Sequence, residues 1–295
     1  MNRRLIFTGL FFAIALFAFN SCGLFDDDGQ IPVTENKYFI SKSLVYSYPE
    51  QLVKAALESI EDQYPSTAEL KAKVNYGVFI YKINYKTTYN NQEVIASGLV
   101  CMPVGTGAFP LLSFQNGTNT LHSEAPSVAY TDTLFTLIET IASMGFIVAM
   151  PDYLGFGASE SMYHPYLHKA STVQSVTDMF RAIQEMMVDY NSTSLLKDTY
   201  LMGYSQGGWA TMALKKEIET NLTGEFTLKA TSCGAGPYDL TTICSTILGQ
   251  TTYPMPYFMA YIMNSYIKSG EITIGYSDIF NSNYAGTNYI SDLFD

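Results

Sequence analysis

A G-x-S-x-G segment at residues 203–207 constrains the fold of this chain more than any other feature. An apolar, strand-like run over residues 199–202 leads into it, and a helical pattern over residues 209–218 leads out. A serine on a sharp turn between a strand and a helix needs neighbours without side chains, because the two elements pass closely there. Gly203 and Gly207 meet that need. The segment therefore predicts a strained turn that joins a strand to a helix.

The turn predicts a nucleophile and the groups that would stabilise negative charge beside it. Ser205 is the candidate nucleophile, and the backbone N–H of Gln206 lies where a helix N-terminus points its positive dipole end. A second N–H donor is expected from the loop after an earlier strand. The residues Asn116, Gly117 and Thr118 follow such a strand, and Gly117 would let the backbone approach a substrate closely. We predict an oxyanion hole from these groups.

The rest of the chain shows two patterns of polar and apolar residues, one before Pro103 and one after it. Residues 74–89 alternate in polarity and residues 93–103 form a second apolar run, so a hairpin is expected around Asn90-Asn91. After Pro103, short apolar runs alternate with helical stretches, which indicates a mostly parallel sheet with helices on both faces. Asp152 follows one of these strands. It precedes the serine, which is the wrong chain order for a catalytic acid in such a fold, so we assign it a structural role.

Five segments together resemble the secretory lipase family of α/β-hydrolases, in that family's order over about residues 95–245. The resemblance implies an ester hydrolase with Ser205 as nucleophile, a helical lid after the strand near residue 233, and C-terminal strands missing from residues 1–295. We expect no cofactor and no metal. The segments are 114–118 (FQNGT), 151–157 (PDYLGFG), 164–167 (HPYL), 203–208 (GYSQGG) and 235–240 (AGPYDL).

A general base for the serine is missing at the expected place. The triad of this fold runs serine, acid, histidine, yet the three histidines His122, His164 and His168 all precede Ser205. Three explanations are open: truncation before an aspartate and a histidine beyond residue 295, a natural pseudoenzyme, or an upstream histidine that serves as base. Without a base the serine hydroxyl is a poor nucleophile. An inactive ligand-binding lipoprotein, and a peptidase or acyltransferase of the same fold, are the alternative functions.

The N-terminus has the pattern of an export signal. Arg3 and Arg4 precede an apolar run over residues 5–19, which is short for a membrane-spanning helix, and Cys22 follows. The arrangement resembles the lipobox of bacterial lipoproteins, which implies lipidation of Cys22, anchoring to a membrane, and a place in the outer membrane or at the cell surface. We predict a signal peptide over residues 1–22 and a tether with an N-terminal helix over 23–65. Residues 66–236 form the predicted hydrolase core, and 237–295 an incomplete lid region.

The composition of the chain limits the classes of molecule that it is expected to bind. Sixteen basic residues against twenty-seven acidic ones give a net charge of −11 without a basic run, which argues against nucleic-acid binding. An ester or lipid is the expected substrate. If Cys22 carries lipid, three cysteines remain, so either one Cys233–Cys244 bridge or free thiols are expected, and we favour free thiols. The stretch 253–266, rich in aromatic residues and methionine, is interpreted as an apolar lid over an acyl pocket or as a core helix.

Overall fold

A long antiparallel hairpin forms one half of the central sheet. In the computed structural model, which describes residues 36–190 and 192–282, the strands Gly77–Tyr89 and Gln92–Val104 pair along their whole length. Asn90 and Asn91 at the turn have positive φ angles of 49° and 61°. Two-residue hairpin turns need this conformation, and asparagine tolerates it better than most residues. The hairpin predicted from the alternation and the asparagine pair is confirmed.

The other half of the sheet is parallel and carries the crossover helices. The seven strands lie in the order β1-β2-β3-β5-β4-β6-β7, in which β5, β4, β6 and β7 run parallel and β1, β2 and β3 pair antiparallel. The predicted α/β class is thus confirmed. The strands are β1 Phe39–Tyr48, β2 Gly77–Tyr89, β3 Gln92–Val104, β4 Gly107–Gln115, β5 Ile147–Pro151, β6 Thr193–Tyr204 and β7 Thr227–Gly234. The helices are α1 Glu50–Ser59, α2 Thr67–Lys71, α3 Thr133–Glu139, α4 Lys169–Met187, α5 Gln206–Asn221, α6 Leu240–Leu248, α7 Tyr257–Ser269 and α8 Tyr276–Ile279.

Helices cover both faces of the sheet, and two apolar cores result. Successive residues of a strand point to opposite faces, so Ile147 joins one core while Val148 joins the other. Helices α4 and α5 pack on the first face, where Phe180 and Leu214 are fully buried. Helices α1 and α3 pack on the second face. Strand β5 and the second half of β3 are therefore buried on both faces, which explains their continuous apolar runs in the sequence.

Within the segment 23–65, the predicted tether is contradicted at residues 39–48, which form β1. This edge strand pairs with β2, but its register shifts between Phe39 and Ser41 and again between Leu44 and Tyr46. Such bulges add a residue to one strand and break the two-residue alternation. The buried side therefore recurs without the period that identifies a strand in a sequence. The part of the predicted tether before residue 36, and the predicted signal peptide, lie outside the described residues.

The start of β1 is fastened to helix α4. The carboxylate of Glu185 accepts hydrogen bonds from the backbone N–H groups of Lys37, Tyr38 and Phe39 at 2.7–3.0 Å. Three backbone donors at the entry to an edge strand are thereby paired. The described domain thus begins at an anchored strand, upstream of the predicted boundary of the core at residue 66.

Candidate active site

Ser205 lies on a strained turn between β6 and α5, as the sequence predicts. Its backbone has φ 57° and ψ −122°, a conformation that costs a non-glycine residue about 1–3 kcal/mol. The surroundings hold the turn, because the N–H of Ser205 donates to the carbonyl of Gly234 at 2.8 Å and its own carbonyl accepts from Trp209 at 3.1 Å. The predicted nucleophile therefore stands in a strained conformation that the ends of β6, α5 and β7 hold in place.

The glycines beside Ser205 are required by contact with neighbouring strands. A Cβ placed on Gly207 would lie 1.8 Å from the carbonyl oxygen of Gln115, at the end of β4. A Cβ on Gly208 would lie 2.3 Å from the carbonyl oxygen of Gly234, at the end of β7. Real Cβ atoms do not approach backbone so closely, so only glycine lets α5 begin here. A Cβ on Gly203 would lie 2.3 Å from the Gly207 carbonyl oxygen, so the sequence argument for side-chain-free residues at 203 and 207 is confirmed.

The predicted oxyanion loop lies against Ser205, the predicted nucleophile. A Cβ on Gly117 would stand 3.8 Å from the Cβ of Ser205, and nothing closer than 3.7 Å obstructs it. Asn116 is 2% exposed, and its side-chain amide donates to the carbonyl of Gly117 at 3.0 Å. The hydroxyl of Thr118 is 2.9 Å from that of Tyr166. The structure therefore brings the predicted loop and the predicted nucleophile together, although they are almost 90 residues apart in the chain.

Gln206 turns its side chain into the protein, where His164 holds it. The amide nitrogen of Gln206 is 2.8 Å from Nε2 of His164, and Nδ1 of His164 is 2.6 Å from the carbonyl oxygen of Leu154. A carbonyl only accepts, so Nδ1 carries the proton and Nε2 accepts from the amide. Burial of the ring lowers the pKa of His164 to about 4. His164 is thus neutral near pH 7, with both nitrogens engaged, and is not free to take a proton from Ser205.

The other two histidines have different partners. His168 caps the N-terminus of α4, where its Nδ1 is 2.8 Å from the Ser171 hydroxyl, and its Nε2 is 3.1 Å from the Glu271 carboxylate. The His122 ring lies 5.8 Å from that of Phe156, centroid to centroid. In the part of the chain that the structure describes, no histidine is hydrogen-bonded to the Ser205 hydroxyl. The structure therefore supplies no evidence for an upstream histidine as base.

Asp152 has the structural role that its place in the sequence predicts. Its carboxylate is fully buried and accepts from the Ser97 hydroxyl at 2.5 Å and from the Ser127 N–H at 2.7 Å. Burial raises the pKa of Asp152, and these hydrogen bonds partly offset the effect. The carboxylate ties β3 to two loops near the ends of β4 and β5. Both oxygens of the Asp152 carboxylate are thus engaged in structural hydrogen bonds.

Three helices follow the site, over the region predicted to contain a lid. Asp239 caps α6 by accepting from the Thr242 N–H at 2.9 Å. Helix α7 buries Tyr261 against the loop that carries His164 and Tyr166. The described cysteines, one buried and two half-buried, are free, so the Cys233–Cys244 bridge is not formed.

A cavity of about 540 Å³ opens between α4, α5 and the end of α7, and it does not include Ser205. Trp209, one turn after the nucleophile, forms part of its wall. Over residues 36–190 and 192–282, no three histidine, cysteine or acidic side chains are grouped as metal ligands would be. Within the same ranges, no helix combines the length and apolar character that crossing a bilayer requires.

A serine between a parallel strand and its helix, with helices on both faces of the sheet, defines an α/β-hydrolase. The secretory lipase family matches residues 122–272, which are 151 of the 295 residues and include Ser205. The chain therefore belongs to the secretory lipase family. No curated protein matches it significantly.

Solved structures agree with this assignment. A Legionella pneumophila protein assigned to the hydrolases superposes with a TM-score of 0.75 at 27% identity, over 88% of this chain and 67% of that one. The rice cell wall degrading esterase LipA from Xanthomonas oryzae superposes with a TM-score of 0.73 at 26% identity, over 88% of this chain and 67% of that one. Candida antarctica lipase A shares the fold at 15% identity and a TM-score of 0.57, over 88% and 55%. The chain thus spans about two thirds of the length of the first two proteins.

Proposed function

We propose that this protein is a serine hydrolase of carboxylic esters, a lipase or esterase, with Ser205 as its nucleophile. The observation that carries the proposal is the strained turn at Ser205, held between β6 and α5 with the Gly117 loop against it. A helix N-terminus and a neighbouring loop can direct N–H groups at one developing negative charge. Family membership and the esterase LipA among the similar structures support the same chemistry.

The proposed reaction has two halves. The Ser205 hydroxyl attacks the ester carbonyl as a base takes its proton, and the N–H of Gln206 with an N–H of the loop 116–118 stabilises the oxyanion. The alcohol leaves with a proton, which forms an acyl-enzyme, and water then releases the acid by the same steps in reverse. We assign the base to a histidine paired with an aspartate beyond residue 295. Both nitrogens of His164 already have partners, and among the described residues neither His122 nor His168 is hydrogen-bonded to Ser205.

We also propose that the protein is exported and held at a membrane by lipid on Cys22. The charged start, the apolar run and the cysteine in that order support this, and so does membership of a family of secretory enzymes. Cys22 lies outside the described residues. Cells fed labelled palmitate should label the wild-type protein and should not label Cys22→Ala. Equal labelling of the two would refute the anchor.

The nucleophile is tested by covalent labelling. A fluorophosphonate should add once to the protein, at Ser205, and mass spectrometry of the digest locates the adduct. Ser205→Ala should gain none, whereas Ser232→Ala, which alters an exposed serine of β7, should label like the wild type. Turnover of a p-nitrophenyl ester should be lost in Ser205→Ala alone. An adduct that persists in Ser205→Ala would contradict the assignment.

A second candidate is a ligand-binding lipoprotein of the same fold without catalysis. The engagement of His164 favours it, because an unassisted serine at this turn would bind an ester without cleaving it. This candidate predicts saturable binding of the ester, no turnover and no fluorophosphonate adduct. The labelling experiment therefore separates the two candidates.

A further inference from the structure

Three rings form one buried cluster between the nucleophile and the helices that follow it. Tyr166 and Tyr261 stack with centroids 4.5 Å apart and planes 12° from parallel. The His164 ring lies 6.0 Å from the first and 5.7 Å from the second. All three side chains are at most 4% exposed. We call His164, Tyr166 and Tyr261 the ring cluster. It joins helix α7 to the loop 163–167.

The ring cluster holds Thr118, the last residue of the predicted oxyanion loop, and Asn119, the residue after it. The Tyr166 hydroxyl is 2.9 Å from the hydroxyl of Thr118, the neighbour of Gly117. The Tyr261 hydroxyl donates to the carbonyl of Asn119 at 3.2 Å. A loop that carries an oxyanion donor must be fixed within about 0.5 Å to be effective, and surrounding hydrogen bonds supply that precision. One of the two hydrogen bonds comes from α7.

The same cluster holds the other predicted donor. Nε2 of His164 accepts from the side-chain amide of Gln206, whose backbone N–H is the donor at the turn. The loop under the ring has little freedom, since a Cβ on Gly155 would lie 2.5 Å from the His164 backbone. His164 is thus held in place and, through its hydrogen bond, fixes the side chain of Gln206, the first residue of α5.

We propose that His164, Tyr166 and Tyr261 are positioning residues that hold both oxyanion donors at once, and that Tyr261 makes the oxyanion hole depend on the seating of α7. The inference rests on the proposed function of Ser205. The proposal is that the position of helix α7, in the predicted lid region, affects how well the transition state is stabilised. A loosened donor weakens binding of the transition state but not of the substrate. The coupling should therefore appear in kcat and leave KM unchanged.

Kinetics of three tyrosine variants test the coupling in the full-length protein. Removal of an oxyanion donor lowers kcat by about 10²–10³-fold, so a donor that is loosened but present should lose less. We expect a fall in kcat of about tenfold for Tyr261→Phe and about 100-fold for Tyr261→Leu, with KM within about threefold. Tyr257→Phe is the matched control, because Tyr257 also lies on α7 but is exposed, and its hydroxyl donates to the Met255 sulfur at 3.9 Å. It should keep kcat within about twofold.

Hydrogen exchange gives a second measurement that does not depend on catalysis. Amides of the peptide over residues 116–120 should exchange about tenfold faster in Tyr261→Leu than in the wild type, and at the wild-type rate in Tyr257→Phe. Unchanged exchange in Tyr261→Leu, or equal loss of kcat in both tyrosine positions, would overturn the coupling. If exchange responds while Ser205 takes no fluorophosphonate, the proposed function fails and the mechanical coupling stands.

Discussion

Gly207 touches the backbone of Gln115 so closely that the first turn of α5 and the end of β4 leave no space for a methyl group. A Cβ at Gly207 would be 1.8 Å from the Gln115 carbonyl oxygen. Backbone cannot yield as a flexible side chain can, so any substitution must displace the start of α5 and with it Ser205. The position of the nucleophile is therefore set by a contact between two elements far apart in sequence.

Gly207→Ala should abolish ester turnover and lower the free energy of unfolding by about 2–4 kcal/mol, since overpacking against backbone allows little relaxation. Gly224→Ala is the control, because a Cβ there meets nothing within 4 Å. Urea denaturation and p-nitrophenyl ester turnover measure the two effects. A Gly207→Ala protein as stable and active as Gly224→Ala would contradict the packing argument.

Ser205→Gly should stabilise the protein while it removes activity. Glycine adopts φ 57° without the cost that a Cβ brings, so the free energy of unfolding should rise by about 1 kcal/mol. Ser205→Ala keeps the Cβ and should gain much less. Denaturation midpoints of the two variants at equal m-value give the comparison. Equal stability of glycine and alanine here would show that the turn stores no strain.

Glu139 should make stability fall as pH rises. It is fully buried at the end of α3, and burial raises its pKa to about 7 from an ordinary value of 4.5. The folded protein thus favours the protonated acid, and the penalty for ionisation grows between pH 4.5 and 7 and is constant above. At about 1.4 kcal/mol per pH unit, the penalty reaches up to about 3 kcal/mol.

The matching measurement compares Glu139→Gln with the wild type. The glutamine variant should be more stable above pH 7, and the difference should shrink as pH falls to 4.5. A difference in unfolding free energy that stays flat over this range would mean that the carboxyl is not perturbed.

His164 should have the opposite effect on the pH dependence of stability, so that its contribution falls as pH is lowered. Its folded pKa of about 4 lies below the ordinary 6.5, so the unfolded chain takes up the proton first on acidification. Stability supplied by the neutral ring is complete above pH 6.5 and is lost as pH falls towards 4. The advantage of the wild type over His164→Phe should therefore shrink across that window. Because His164 is neutral and does not titrate between pH 6 and 8, kcat of His164→Phe should fall without a change in the shape of the pH profile there.

Much of the architecture could be predicted because local chemistry specified it. The turn at Ser205 leaves room only for glycine at the neighbouring positions, so the glycines indicate the turn. The asparagine pair at residues 90–91 likewise indicates a hairpin turn with positive φ angles. Asp152 was assigned its structural role from chain order alone. Strand β1 was not predicted because its bulges interrupt the alternation of polar and apolar residues from which strands are predicted.

The sequence by itself determined the α/β class, the nucleophile turn and the loop that would oppose it, since each depends on residues close together in the chain. Tertiary structure alone decided that His164 holds Gln206 and that Tyr261 of α7 reaches the carbonyl of Asn119. Those partners are 42 and 142 residues apart, and no local pattern encodes such pairings. They arise because the sheet places the ends of its parallel strands at one edge, where loops from the whole chain meet.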